Sequence, residues 1–196
     1  MGALAAVQVL RAAERAAVAW RNGGGITRQV AVSPPESAIA DFDWRVSIAE
    51  IAAAGPFSLF PGIDRSLAVL DGRLRLSIDG RPPLALSRES AAVSFPGEVP
   101  VFAQPLGSAV TDLNVMTRRG LCSATLTRRA ADASTVLAGG AGTRLVVARA
   151  ALTVHSGALA IALESLDAIV AEGDTLRIEA SGAAGAAFDL IEIHFR

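Results

Sequence analysis

The chain has no lysine and no tyrosine, one cysteine (Cys122), two histidines (His155 and His194), and aromatics at only 5% of its 196 residues. Each shortage removes a class of chemistry. A single cysteine cannot close an internal disulfide, so burial must hold the fold, and the chain suits a reducing cytoplasm. Cys122 also has no histidine nearby in sequence to serve as the base of a thiol nucleophile. The two histidines stand far apart, without carboxylates or cysteines at ligand spacing, so no metal site is expected. Cationic excess is missing as well: eighteen arginines face nineteen acids, for a net charge of -1. That balance disfavours a nucleic-acid surface. No uncharged apolar run approaches the roughly 18 residues of a membrane span. Arg11, Glu14 and Arg15 interrupt the alanine-rich stretch from Met1 to Trp20 before a secretory core could form. There is no G-x-S-x-G elbow and no phosphate loop; Gly23-Gly24-Gly25, with no clear strand before it and no lysine after it, reads as a turn.

What is present is period-two patterning broken by turn residues. Strands are expected at Thr27 to Val32, Trp44 to Ile51, Ser66 to Leu70, Leu74 to Ile78, Ala91 to Phe95, Val110 to Thr117 and Cys122 to Arg128. Ser33-Pro34-Pro35, Gly55-Pro56, Asp71-Gly72, Asp79-Gly80 and Phe95-Pro96-Gly97 punctuate them. Alternation fades from Ala130 to Thr143, which reads as a linker or long loop. A second series follows at Arg144 to Ala150, Ala158 to Ala162, Ala168 to Val170, Leu176 to Glu179 and Phe188 to Phe195. Many short strands with frequent turns imply an all-β sandwich or barrel. Two unequal lobes are expected, 1-130 and 131-196, with strand exchange between them allowed.

The polar residues of two strands alternate in a way that bears on function. Asp112, Asn114, Met116 and Arg118 share one face of their strand, and Arg45, Ser47 and Ala49 share one face of theirs. If those faces look inward, Arg45, Ser47, Asn114 and Met116 converge on one cavity. If they meet solvent instead, Trp44, Val46, Ile48, Leu113 and Val115 form the core. An inward arginine is costly unless something anionic answers it.

Six motifs in order, Trp20-Arg-Asn22, Gly25-x-Thr27-Arg28, Trp44-Arg45-x-Ser47-x-Ala49, Gly55-x-Phe57-Ser58-x-Phe60-Pro61-Gly62-x-Asp64-Arg65, Leu70-x-Gly72 and Asp112-x-Asn114-x-Met116-x-Arg118, resemble the signature of the HutD/Ves family. The resemblance covers roughly residues 18 to 120. It implies a bicupin, two jelly-roll β-barrel lobes in one chain, and a cytoplasmic modulator of histidine utilisation that binds a pathway acid such as urocanate or N-formylglutamate. Metal-binding cupins carry two histidines one residue apart, a later glutamate and a closing glycine. Counted back from Gly72, the glutamate place falls on Arg65 and the histidine places fall within Ser58 to Pro61, where there is none. The resemblance therefore implies no metal and no cofactor. A guanidinium at that place favours a carboxylate, which it can grip through paired hydrogen bonds. The expected ligand-binding residues are Arg45 and Arg65 for the carboxylate, Asn114 and Ser47 for polar atoms, and Phe60 and Met116 for the apolar wall. Arg65 also has a structural alternative, an ion pair with Asp64 or Asp112. No catalytic residue is assigned in this reading; its rival is a metal-independent isomerase or hydrolase with Asp112 as base. Open sheet edges leave room for a homodimer.

Overall fold

The structure is a computed structural model describing residues 7-39, 41-131, 134-181 and 186-196. Its described residues form nineteen strands and one 3-10 turn, Ala12–Glu14. The expected all-β class is present. No helix among the described residues is long and apolar enough to cross a membrane.

The chain divides into two compact units, each with its own core. Arg15–Ser123 contains a six-stranded and a four-stranded sheet, and the other unit a five-stranded and a four-stranded sheet. These are open sheets facing each other, not closed barrels. In the first unit, Ile51, Leu67 and Val69 of the larger sheet meet Leu74, Leu76, Ile78, Leu86 and Val101 of the region around the smaller one. In the second, Val146, Ile169 and Leu190 meet Leu152, Val154, Leu176 and Ile178.

The second unit also takes the residues up to Glu14. Strand Gln8–Leu10 pairs antiparallel with Ala168–Glu172. Asp167 accepts from the Ala12 backbone and from Arg11, both at 2.7 Å. The anticipated linker from Ala130 to Thr143 is partly ordered, since Thr135–Leu137 pairs with Leu176–Ala180; residues 132 and 133 of it lie outside the described set, as do residues 1-6 of the alanine-rich start.

Most anticipated strands occur within one to three residues of their expected ends. Trp44–Ile51 matches fully, and the Ser66 to Leu70 strand extends to Ile63–Asp71. Leu84–Ser87, Val101–Pro105 and Leu152–Ser156 were not anticipated. Pro105 closes the second of these, and Pro82 and Pro83 precede the first, so turn chemistry masked four or five residues of alternation.

Two glycines set the backbone around the larger sheet of the first unit. Gly72 turns with φ +83°, and a side chain there would meet the Ala109 carbonyl at 3.0 Å. Gly97 lies so close to the Phe60 carbonyl that any Cβ would sit 2.5 Å from it. The Gly97 backbone donates to Ile63 at 2.7 Å, and Phe60 donates back to Gly97 at 2.8 Å, which pins the segment before Ile63–Asp71 against its neighbour.

Candidate functional site

Three central strands of the larger sheet run in the order Trp44–Ile51, Val110–Arg118, Ile63–Asp71. Their register places Arg45 opposite Met116 and Met116 opposite Arg65. One step along, Ser47 pairs with Asn114, and one further, Ala49 pairs with Asp112. Paired residues share a face, so this one face carries the whole anticipated polar set. Both faces are buried: Val46, Ile48, Leu113 and Val115 on one side, Ser47, Arg65, Asp112, Asn114 and Met116 on the other. The two alternatives left open by alternation are thus both realised in part.

A cavity of about 780 Å³ opens on the polar face, and Arg45, Ser47, Phe60, Arg65, Asn114 and Met116 all line it. Trp20, Arg21, Thr27, Phe57, Leu59 and Asp112 line it too. Trp20 is half-buried and meets Phe57 edge-on at 6.5 Å between ring centroids. Its indole N–H donates to Thr27 Oγ1 at 2.8 Å. Replacing Thr27 by valine leaves that donor unanswered and is expected to cost about 1 kcal/mol of stability in a denaturant titration. Trp44 lies on the other face, 5% exposed.

Arg65 is the centre of the arrangement and is only 7% exposed. Its guanidinium lies over three phenyl rings, 4.9 Å from Phe57, 5.2 Å from Phe95 and 5.7 Å from Phe60. Such a cage holds a cation by the negative faces of the rings. One Nη donates to Asn114 Oδ1 at 2.9 Å and the other reaches the Ser58 carbonyl at 3.4 Å. Its Nε is buried without a hydrogen-bond partner among the described residues. The anticipated ion pairs are not made: Asp64 pairs with Arg119 at 2.8 Å, and Asp112 is reached only through Asn114. Burial pulls the Arg65 pKa down to about 10, with Asp112 opposing that shift and Arg45 adding to it.

Asp112 has no exposed surface. Its Oδ1 accepts from Asn114 Nδ2 at 3.1 Å, while Oδ2 is buried with no partner among the described residues. Burial pushes its pKa up to about 7, against the opposing pull of Arg65, Asn114 and the Ala49 backbone. Asn114 is therefore a bridge: it donates to the acid and accepts from the base. Arg45 is half-buried and its Nε donates to Gln29 Oε1 at 3.0 Å. Gln29 and Phe95 have roles here that sequence reading missed, since each depends on which strands are neighbours.

The residues do not fit a metal. Among the described residues no three His, Cys, Asp or Glu side chains come together as a ligand set. His155 sits beside Glu179 at 3.3 Å on the other unit, and His194 is exposed. Cys122 is buried, donates to the Asp43 carbonyl at 3.2 Å, and has its thiol pKa raised by burial, so it is not poised as a nucleophile.

A family model described as HutD matches residues 12–188. An uncharacterized 21.2 kDa protein in the hutC 3' region of Pseudomonas putida is 39% identical over 111 residues, 56% of this chain and 57% of that protein. Protein Ves of Citrobacter koseri is 41% identical over 107 residues, 54% of each. The chain thus spans about half the length of the curated relatives it matches. Among solved structures, HutD from Pseudomonas fluorescens SBW25, described in a formate condition, has a TM-score of 0.82 and 26% identity, covering 97% of this chain and 100% of that one. A conserved protein of unknown function from Pseudomonas aeruginosa PAO1 has a TM-score of 0.87 and 27% identity, covering 96% and 98%. A cupin 2 conserved barrel domain protein from Leptotrichia buccalis, 8% identical with a TM-score of 0.60 over 90% of this chain and 92% of that one, shares the fold alone.

Proposed function

Because the chain belongs to the HutD family, we propose that its first unit is a non-enzymatic receptor for a small carboxylated metabolite and that the protein adjusts histidine utilisation in the cytoplasm. Urocanate and N-formylglutamate are the first acids to test. The relative named for the hutC 3' region supports the pathway. One observation carries the chemistry: a 93%-buried site for a guanidinium, Arg65 being 7% exposed, on a cavity wall with an unanswered Nε and no carboxylate paired to it. A buried cation with no carboxylate hydrogen-bonded to it is costly, and a carboxylate that accepts two of its N–H groups removes that cost. Asn114 and Ser47 orient the polar atoms of the guest, and Phe60 and Met116 supply its apolar contacts. The cavity volume lies within the range of small-molecule sites, about 300 to 1,000 Å³.

Thermal melting of the full chain tests this. An acid at a hundred times its Kd stabilises by about 2.7 kcal/mol, which raises Tm by about 5 to 10 °C for a chain of this size. Absence of any shift across a panel of carboxylic acids at millimolar concentration would overturn the proposal.

Asp112 supports a second reading. A carboxyl lifted to about 7 beside a cavity is poised to trade a proton, as a metal-independent isomerase or hydrolase would require. Incubation with the same acids decides between the two: consumption of substrate that Asp112→Asn abolishes establishes the enzyme, and unchanged ligand after prolonged incubation establishes the receptor.

A further inference from the structure

The two arginines that line the cavity stand on different strands and have different hydrogen-bond partners. They stand on strands either side of Val110–Arg118, in register through Met116. Paired Cα atoms on adjacent strands are about 4.5 to 5.5 Å apart, so Arg45 and Arg65 leave the sheet about 10 Å from each other. Their guanidinium groups are held by different strands. Arg45 Nε donates to Gln29 on the Gly25–Ser33 strand, away from the central strand. Arg65 is held by Asn114 of the central strand and by its three phenyl rings. Each retains guanidinium N–H groups without a hydrogen-bond partner among the described residues, and both face the same 780 Å³ space. Between them lies Met116, flexible and apolar.

We infer that the cavity takes an elongated dianion, with one acid group on Arg65, the second on Arg45, and a short methylene chain across Met116. This deepens the receptor reading and rests on it. Among the described residues, Asp112 and Arg21 supply the other formal charges on the cavity wall, so the described lining carries three cations against one buried carboxyl. That imbalance is what a doubly charged guest corrects and a singly charged one leaves half unanswered. Of the two acids named above, only N-formylglutamate carries two carboxylates.

Calorimetric titration of the full chain with glutarate and adipate, each against the monocarboxylate of equal length, pentanoate and hexanoate, tests the inference. The dicarboxylates should bind at least about tenfold more tightly, the worth of one further charge-assisted hydrogen bond. In Arg45→Gln that preference should vanish, with each dicarboxylate falling to the affinity of its monocarboxylate in the same variant, and Arg45→Lys should restore part of it. Equal affinity for the two series in the parent protein, or a preference that persists in Arg45→Gln, would overturn the dianion and leave the receptor standing. No binding of any acid would overturn the receptor reading, and this inference with it.

Discussion

Arg65→Met is expected to abolish acid binding while leaving the fold intact. Two charge-assisted hydrogen bonds from a buried guanidinium contribute about 1.5 to 3 kcal/mol each, so their loss weakens binding by about 10²- to 10⁴-fold. Stability should move little, and the reason lies in the surroundings. Phe57, Phe60 and Phe95 can pack against a thioether as they do against the guanidinium. Removing a buried charge also removes its desolvation cost. The remaining partner is not stranded as an ion, because without Arg65 the fully buried Asp112 holds its proton more tightly still. Isothermal calorimetry with the parent ligand and a melting curve without ligand measure the two effects separately. Retained affinity within tenfold of the parent would show that the cavity does not use Arg65. A collapse of Tm would show that the cation holds the unit together.

The second large effect is a pH dependence of stability that runs from about pH 4 to about pH 7. The Asp112 pKa is raised to about 7 in the folded state from an ordinary value of 3.8, chiefly by burial. A carboxyl with a raised folded pKa binds more protons folded than unfolded between those two values, so its contribution is complete below about pH 4 and is lost as pH rises toward 7. The loss is on the order of a few kcal/mol. Asp189 has its pKa raised by burial too and adds a slope of the same sign. Comparison of Tm against pH for the parent and Asp112→Asn isolates the Asp112 part, and parallel curves between pH 5 and 8 would refute it.

Ligand affinity should follow the same titration. Below pH 7 the neutral Asp112 leaves Arg65 as an uncompensated cation, with Arg45 and Arg21 as the other charges on the cavity wall. A carboxylate ligand stays ionised down to about pH 5. Affinity should therefore rise as pH falls from 8 to 6, and Asp112→Asn should flatten the profile.

Local pattern carried much of this. Alternation in Trp44–Ile51 and Val110–Arg118 put Arg45 with Ser47, and Asp112 with Asn114 and Met116, because strand neighbours two apart always share a face. The motif string carried the family. The short strands Leu84–Ser87 and Leu152–Ser156 were not legible, since four or five residues hold too little periodicity to stand out from turns.

The amino-acid sequence by itself determined an all-β chain and its polar strand faces. Only the tertiary structure decided that Val110–Arg118 lies between the strands bearing Arg45 and Arg65, that three phenylalanines from two segments enclose one guanidinium, and that Asn114 rather than Asp112 touches it. The division has a physical cause. Which side of a strand a residue takes follows from bond geometry within a few residues, whereas which strands lie side by side follows from the burial of the entire unit and leaves no trace in any short stretch of chain.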